Sequence, residues 1–294
     1  MAIIKKAVIP IAGLGTRFLP LSKIFPKELW PLVDKPVLQY IVQEAVSSGI
    51  KEIIFVTSPE KKVVSEYFSK YVKKNPLLEN ILESRKKYEL IRELKDLENI
   101  LKNVSFSYIT QKKPLGDGHA ILQAEKLVNS TPFAVLFGDD VVYSKKPCLF
   151  QLINIFKKYK TPVIALYQVS KEKLPFYGVV SVRKINNRLY QIKDIIEKPE
   201  IKKAPSRLAV VGKYILTPDI FDYLKKSSGS IVKEIILANA IREMIKSDKT
   251  VLGLQFEGKW LECGNKLAYL RSNLYLSLKH PQFGKELRRY LKEI

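Results

Sequence analysis

Histidine and cysteine are scarce in this chain of 294 residues, which has only two of each. The cysteines, Cys148 and Cys263, are too few for a disulfide framework. Together with His119 and His280 they do not favour a zinc site either. The pattern therefore predicts a protein of a reducing, cytoplasmic compartment.

Long apolar runs are also missing. No stretch approaches the ~18 to 20 residues of a membrane span, and residues 1–10, MAIIKKAVIP, lack the hydrophobic region of a signal peptide. Hydrophobic residues make up 46% of the chain and charged residues 27%, as in ordinary globular proteins. We expect a soluble cytoplasmic protein, with one large α/β domain or two small ones.

Positive charge is abundant, and the formal net charge is +22. Such an excess is found in proteins that bind nucleic acids or membrane surfaces. The lysines, however, are spread in pairs along predicted helices instead of gathering beside aromatic residues; examples are Lys61-Lys62, Lys157-Lys158 and Lys225-Lys226. This spread favours solvated helix faces, with nucleic-acid binding as the open alternative, and the charge would help to attract an anionic substrate.

Short β-branched segments alternate with amphipathic segments over the first part of the chain. The predicted strands are 7–11, 53–57, 105–110, 133–137 and 163–169, and the predicted helices between them include 37–48, 118–129 and 149–159. Apolar residues at helical spacing predict two more helices within 75–103, in an insertion over about 60–103 that packs on the domain or on another subunit. This alternation predicts an α/β fold with a Rossmann-like, mostly parallel mixed sheet flanked by helices.

After Pro175 the pattern changes to strands joined by polar turns, at 178–184, 189–197 and 207–216. We expect these strands to form a small β-rich lobe over about 175–216. Helices are predicted near 218–225, 233–247 and 266–279. We expect one domain over 1–265, with C-terminal helices in 266–294 that pack on it or on a partner subunit.

Residues 7–36 read AVIPIAGLGTRFLPLSKIFPKELWPLVDKP. An apolar run that predicts a strand stops at Gly13 and Gly15, and two glycines this close allow a sharp turn and a close approach of a ligand to the backbone. The exposed amides can bind phosphate, and Arg17 and Lys27 add cations. The pattern predicts a polyphosphate-binding turn, and its structural alternative is a tight connection between a strand and a helix.

The glycine spacing matches neither GxxxxGK[ST] nor GxGxxG, which disfavours P-loop and NAD-binding proteins. The whole block resembles the GxGTRxxP…PKxxxP…KP signature of bacterial-type UTP–glucose-1-phosphate uridylyltransferases, which are sugar-nucleotide nucleotidyltransferases. The resemblance implies a Mg²⁺-dependent, direct in-line reaction in which UTP and glucose 1-phosphate give UDP-glucose and diphosphate. It also implies a homodimer or homotetramer, catalytic roles for Arg17 and Lys27, and nucleotide binding by Ala12, Gly13, Leu14, Gly15, Thr16 and Glu28.

A metal site is predicted where the apolar run 133–137 ends in Gly138-Asp139-Asp140. Ligands of α/β proteins bind at the carboxyl ends of the strands, and carboxylate oxygens suit Mg²⁺. A capped turn is the structural alternative. The family resemblance assigns Mg²⁺ to Asp139 and to the acidic residue of a DCGNK segment, where this chain has Glu262 in the sequence ECGNK.

Two further segments resemble the sugar side of the family. Residues 177–180, YGVV, and 196–199, IEKP, match its YGVV and VEKP segments. By itself such a Glu-Lys-Pro sequence would indicate a solvated strand end. The resemblance implies that Gly178, Glu197 and Lys198 bind the sugar phosphate, with Lys198 as a catalytic residue.

Gln111 and Gly116 lie in a segment similar to the family's QxxxxGLGHA, and an amide side chain offers a donor and an acceptor to a uracil edge. Three departures keep alternatives open. Asp117 stands for the leucine of that segment, Glu262 for aspartate, and residues 234–241, EIILANAI, depart from EIQLTDAI at Ile236, Ala238 and Asn239. The alternatives are a preference for dTTP or another sugar 1-phosphate, and a weakly active or regulatory paralogue that binds sugar nucleotides.

Overall fold

The structure is a computed structural model that describes residues 4–71, 75–227 and 234–294. Its helices are α1 (Val37–Ser47), α2 (Lys62–Glu66), α3 (Pro76–Ser84), α4 (Tyr88–Leu101), α5 (Asp117–Gln123), α6 (Glu125–Val128), α7 (Cys148–Tyr159), α8 (Ile220–Ser227), α9 (Leu237–Lys246), α10 (Lys266–Ser277) and α11 (Gly284–Tyr290). Its strands are β1 (Lys6–Pro10), β2 (Pro31–Leu32), β3 (Lys35–Pro36), β4 (Glu52–Thr57), β5 (Ser105–Thr110), β6 (Phe133–Leu136), β7 (Asp140–Tyr143), β8 (Val163–Gln168), β9 (Gly178–Lys184), β10 (Leu189–Glu197), β11 (Leu208–Leu216), β12 (Leu252–Gln255) and β13 (Lys259–Glu262). No helix in these ranges is long and apolar enough to span a bilayer.

The main sheet of the described residues has nine strands in the order β5-β4-β1-β6-β11-β8-β12-β10-β9. The strands β5, β4, β1 and β6 pair in parallel and form what we call the parallel half. The other five strands form the mixed half, in which β12 and β8 are parallel and the remaining pairs antiparallel. The predicted α/β fold is confirmed, with the parallel arrangement concentrated in one half of a mixed sheet.

Helices cover both faces of this sheet. Successive side chains of a strand point to opposite faces, so Ala7 and Ile9 of β1 belong to one buried core and Val8 belongs to the other. The first core includes apolar residues of α1 and α7, and the second includes those of α5, α8 and α9. Burial on both faces explains why β1 and β6 are continuous apolar runs.

The strands predicted for the lobe at 175–216 exist as β9, β10 and β11, but they do not form a separate sheet. β11 lies in the middle of the main sheet, between β6 and β8. Nearly all of its residues are buried, as expected of a strand covered on both faces. The polar turns indicated the strands correctly, whereas their membership of the main sheet depends on long-range pairing with β6 and β8.

Several predicted helices have different limits. The two helices expected within 75–103 are present as α3 and α4. The helix expected over 118–129 is divided at Ala124 into α5 and α6. The helix expected over 233–247 begins at Leu237, and its first predicted residue lies outside the described residues.

The C-terminal helix α10 packs on the domain itself. The hydroxyl of Ser272 donates a hydrogen bond to the carbonyl oxygen of Glu262 at 2.8 Å. The hydroxyl of Tyr269 donates one to the carbonyl oxygen of Pro31 at 2.5 Å. These bonds attach α10 to β13 and β2. Its packing on a partner subunit, and the domain limit at residue 265, remain predictions.

Candidate active site

The glycine-rich turn begins where β1 ends. The amide of Ile11 donates to the carbonyl oxygen of Val56 at 2.8 Å, which continues the pairing with β4 by one residue. The chain then leaves the sheet, and Gly15 adopts φ 66° and ψ 29°, in the left-handed region that favours glycine. The hydroxyl of Ser22 donates to the Gly15 carbonyl oxygen at 2.8 Å. This bond fixes the far side of the turn.

Gly13 is exposed, and a Cβ added to it would meet no atom within 4 Å. Packing within the protein therefore gives no reason for a glycine at this position. A residue without a side chain leaves room for a ligand to reach the turn's backbone.

Arg17 follows the turn, and the ring of the adjacent Phe18 is buried against Trp30, with ring centroids 4.7 Å apart. The ring contact holds this part of the chain in place.

Lys27 joins this turn to the acidic segment after β6. Its ammonium group pairs with the Oδ2 atom of Asp139. Burial lowers the pKa of Lys27, but the nearby carboxylates of Asp139 and Glu28 outweigh it and hold the pKa above its usual value. Burial raises the pKa of Asp139, but the positive charge of Lys27 has the larger effect and holds the Asp139 pKa below its usual value. Both groups are therefore charged at neutral pH.

Glu28 is only 2% exposed and has a partner that the sequence did not reveal. The ammonium group of Lys61 lies 3.0 and 2.9 Å from its two carboxylate oxygens and donates to the carbonyl oxygen of Ile11 at 2.7 Å. The expectation that Lys61 lies on a solvated helix face was wrong, because this side chain is buried beneath the turn. Glu28 thus lines the site with its charge already balanced.

Backbone pairing brings the two predicted metal ligands together. β7 and β13 form a two-stranded antiparallel ribbon in which Asp140 lies opposite Glu262. The amide of Cys263 also donates to the carbonyl oxygen of Asp139 at 2.8 Å. Residues more than a hundred positions apart are therefore adjacent at one end of this ribbon.

The carboxylates of Asp139 and Glu262 converge beside Gly264. A Cβ built on Gly264 would lie 3.1 Å from Asp139 Oδ2 and 3.5 Å from Glu262 Oε1, so a small space faces both groups. Glu262 also accepts hydrogen bonds from the Tyr177 hydroxyl and from Asn265 Nδ2, which fix its longer arm. Two hard carboxylate donors with room between them suit Mg²⁺, which takes few protein ligands. The residues present therefore fit the predicted ion.

Asp140 has a structural position next to this pair. Its Oδ1 accepts from the indole nitrogen of Trp260 at 2.7 Å, and its Oδ2 accepts from the amide of Gly212 at 3.0 Å. Burial and the adjacent charge of Asp139 raise the pKa of Asp140 to about 7. Both of its oxygens are thus used to tie β7 to β13 and β11.

The sugar-side residues come from β9 and β10. Gly178 lies directly opposite Glu197 in the sheet, and a Cβ added to Gly178 would lie 3.1 Å from Glu197 Oε2. Lys198 follows with φ 48°, an uncommon conformation for a residue with a side chain, and its amide donates to the Tyr177 carbonyl oxygen at 3.1 Å. Its ammonium group is 3.4 Å from Glu197 Oε1 and half exposed. The turn thus directs the Lys198 side chain to the site.

Gln111 is oriented by its neighbours. Its Nε2 atom donates to the carbonyl oxygen of Gly116 at 3.1 Å and lies 2.7 Å from Nδ1 of His119. Gly116 has φ 99°, and a Cβ there would lie 2.5 Å from the carbonyl oxygen of Ile235, so this position requires glycine. His119 therefore has the structural role of holding Gln111. With Nε2 engaged, the Oε1 atom of Gln111 is the acceptor that remains for a ligand.

Two adjoining cavities contain nearly all of the predicted residues. The β9 cavity, of about 230 Å³, is lined by Arg17, Asp139, Gly178, Glu197, Lys198 and Glu262. The glycine-turn cavity, of about 530 Å³, is lined by Ala12, Gly13, Leu14, Thr16, Lys27, Glu28, Gln111 and Gly116. Asp117, Phe137 and Asp139 line both, so the cavities meet there. Gly15 shapes the turn but lines neither cavity.

The three departures at the start of α9 differ in position. Ala238 lines the β9 cavity. Ile236 is half-buried at the N-terminus of α9, and Asn239 is exposed. Of the three positions, Ala238 is therefore the one where the change alters the wall of the site.

Comparisons with known proteins identify the family of the chain. A family model described as nucleotidyl transferase matches residues 6–277. The chain belongs to this family. It is 40% identical over 291 residues to a UTP–glucose-1-phosphate uridylyltransferase of Staphylococcus saprophyticus, with 99% of each chain covered. The resemblance to uridylyltransferases that the motifs indicated is confirmed.

Solved structures show the same fold. A UDP-glucose pyrophosphorylase complexed with UDP-glucose is 38% identical and superposes with a TM-score of 0.83, over 95% of this chain and 100% of that one. A UTP-bound UGPase from Acinetobacter baumannii is 37% identical, with a TM-score of 0.86 over 99% of this chain and 100% of that one. Both match nearly the whole chain, including the two halves of the sheet.

Proposed function

We propose that this chain transfers a uridylyl group from UTP to glucose 1-phosphate, giving UDP-glucose and diphosphate. The observation that carries the proposal is the junction of the two cavities at Asp139, with the cations Arg17 and Lys198 in the lining of the β9 cavity and Lys27 in that of the glycine-turn cavity. The names of the relatives and of the solved structures supply the substrates. The two cavities match a reaction that brings two phosphate compounds together.

The chemistry requires positioning more than acid–base catalysis. An oxygen of the sugar phosphate forms a bond to the α-phosphorus of UTP, in line with the bond to the bridging oxygen that breaks, and diphosphate leaves with the electron pair. The attacking oxygen is already anionic at neutral pH, so no general base is needed. The main obstacle is repulsion between two polyanions, and fixed cations reduce it.

The cations have separate positions for this task. Lys198, next to Glu197 in the β9 cavity, is placed to neutralise the phosphate of the sugar. Arg17, in the lining of the β9 cavity, and backbone amides of the turn after β1, in the lining of the glycine-turn cavity, would bind the triphosphate from the two sides of the junction. Lys27, held by Asp139, adds positive charge where the two cavities meet.

Asp139 and Glu262 would hold Mg²⁺ in the space beside Gly264. When bound, this ion supplies positive charge to phosphate oxygens. The convergence of the two carboxylates also supports an active enzyme over a weakly active paralogue, because the added methylene of Glu262 does not displace its carboxylate from the site. The Tyr177 and Asn265 hydrogen bonds hold that longer arm in position.

Gln111 supports a preference for uracil. Its Oε1 acceptor can receive the N3–H of uracil, whereas cytosine has no hydrogen at N3. Thymine presents the same edge as uracil, so this contact does not separate UTP from dTTP. The panel of nucleotides below therefore includes both.

The test is an assay of diphosphate release with Mg²⁺, in which UTP, dTTP and CTP are each combined with glucose 1-phosphate or another sugar 1-phosphate. We expect UDP-glucose, identified by mass spectrometry, to form only when UTP and glucose 1-phosphate are both present. A chelator should abolish its formation, and added Mg²⁺ should restore it. Failure of UTP to react with any sugar 1-phosphate would rule the proposal out.

A further inference from the structure

Asp117 lies at the meeting point of the two cavities and lines both. Its backbone is fixed by two hydrogen bonds between neighbouring segments. The amide of Gly118 donates a hydrogen bond to the carbonyl oxygen of Ile235, and the amide of Ile235 donates one to the carbonyl oxygen of Leu115, both at 2.8 Å. The position of the Asp117 carboxylate is thus set by the fold.

One oxygen of this carboxylate is engaged. Oδ1 accepts from the amide of Gly118 at 2.6 Å and from the amide of Leu237, at the start of α9, at 2.9 Å. Oδ2 has no hydrogen-bond partner within residues 4–71, 75–227 and 234–294. The backbone bonds orient the carboxylate and leave its second oxygen for a ligand in the cavity.

The surroundings indicate which ligand group would bind there. Burial first, and then the carboxylates of Glu197 and Glu234, raise the pKa of Asp117 to about 6. A phosphate would be repelled by these acidic neighbours, whereas a hydroxyl can donate a hydrogen bond to a carboxylate. Ala238 presents only a methyl group to the same cavity, so it does not compete for that hydroxyl.

We propose that Asp117 is a specificity-determining residue whose Oδ2 atom accepts a hydrogen bond from a ring hydroxyl of the sugar 1-phosphate. The inference rests on the proposed function and identifies a sugar contact beyond Gly178, Glu197 and Lys198. Asp117 and Ala238 are both departures from the family pattern, one gaining a polar group and the other losing one.

The test compares the wild type with Asp117→Asn and Asp117→Leu in steady-state kinetics, using glucose 1-phosphate and its 2-, 3-, 4- and 6-deoxy analogues. Asparagine keeps an oxygen for the two backbone amides and replaces Oδ2 with a donor, whereas leucine removes both oxygens. In the wild type, we expect kcat/KM for one deoxy analogue to be at least about tenfold lower than for glucose 1-phosphate, because a hydrogen bond to a charged group is lost. That penalty should vanish in Asp117→Leu and shrink in Asp117→Asn, where the hydroxyl oxygen can accept only a weaker, uncharged hydrogen bond from the amide, while the KM for UTP stays unchanged.

Asp222→Asn, on the exposed side of α8, is the matched control and should keep the full penalty. Equal analogue penalties in the wild type and in Asp117→Asn would overturn the inference. So would a penalty for 2′-deoxy-UTP that vanishes in the variants, since the partner would then be the ribose. If Asp117→Leu does not fold, Asp117→Asn alone decides. A wild type that fails with every sugar 1-phosphate would instead refute the proposed function.

Discussion

The parallel half and the mixed half of the sheet position their functional groups in different ways. In the parallel half, the groups lie in turns beyond the strand ends, such as residues 12–17 after β1 and Gln111 after β5. In the mixed half, they lie opposite each other on paired strands, as Gly178 faces Glu197 on β9 and β10. The separate ribbon of β7 and β13 uses the same kind of pairing and places Asp140 opposite Glu262. The parallel half therefore offers the backbone amides of a glycine turn together with side chains that follow its strands, and the mixed half offers side chains on paired strands.

This difference suits two different substrates. Backbone amides in a glycine turn bind phosphates of a nucleotide, whereas carboxylates on paired strands match the hydroxyls of a sugar. Asp139 lies where the two cavities meet. If the comparison holds, changes in each half should affect one substrate, and changes at Asp139 should affect the reaction itself.

The largest effect is expected at the junction. Asp139→Asn removes the charge that pairs with Lys27 and one of the two carboxylates beside Gly264, so kcat should fall about 100-fold or more. Steady-state kinetics with each substrate varied in turn, and a titration with Mg²⁺, would measure it. Asp222→Asn should leave kcat unchanged. A full kcat with only one KM altered would assign Asp139 to a single half.

Lys198→Ala should have the next largest effect, within the mixed half. Loss of the ammonium group leaves the sugar phosphate without its cation, so kcat/KM for glucose 1-phosphate should fall about 100-fold. The affinity for UTP alone, measured by calorimetry, should not change. Lys203→Ala, an exposed lysine paired with Glu200, is the control. Weakened UTP binding in Lys198→Ala would break the separation of the halves.

Gln111→Ala tests the parallel half. Removal of the Oε1 acceptor should raise the KM for UTP about tenfold and leave the KM for glucose 1-phosphate unchanged. The preference for UTP over CTP should shrink with it. Gln191→Ala, whose amide pairs with Arg183 on β9, serves as the control. An undiminished preference for UTP would show that another group recognises the base.

One effect concerns stability and its dependence on pH and not the rate of the reaction. Burial raises the pKa of Asp117 from 3.8 to about 6, so the folded protein holds this proton at pH values where the unfolded chain has released it. The free energy of unfolding should therefore decrease as pH rises between roughly 4 and 6. Asp117→Asn removes this contribution and should flatten the decrease, by at most about 3 kcal/mol at roughly 1.4 kcal/mol per unit of pKa shift. Urea unfolding at several pH values would show it, and parallel profiles for the two proteins would contradict it.

Much of the site could be predicted from the sequence because its residues lie in short contiguous motifs. The turn at 12–17 and the acidic segment at Asp139 each contain their own signal, and the alternating pattern predicted the α/β fold, whereas the Glu197-Lys198 pair was indicated by its resemblance to a family segment. Each of these features depends on neighbours within a few positions. Local propensity and motif spacing were sufficient for them.

The rest depended on contacts between distant parts of the chain. Lys61 belongs to a pair of lysines that resembled a solvated face, and its burial follows from Glu28, which lies 33 positions away. Asp140 is fixed by Trp260, and the use of Asp117 as a cap follows from Leu237, each 120 positions away. The place of β11 in the main sheet likewise depends on its pairing with β6 and β8. No spacing within a motif contains this information.

The central claim is that one half of the sheet binds the nucleotide, the other binds the sugar, and the reacting phosphates meet at Asp139. A crystal structure of the chain with UDP-glucose and Mg²⁺ tests it most directly. We predict uracil beside Gln111, glucose between Glu197 and Asp117, and the diphosphate with its ion beside Asp139 and Glu262. UDP-glucose bound elsewhere, or with its two ends exchanged between the cavities, would contradict the account.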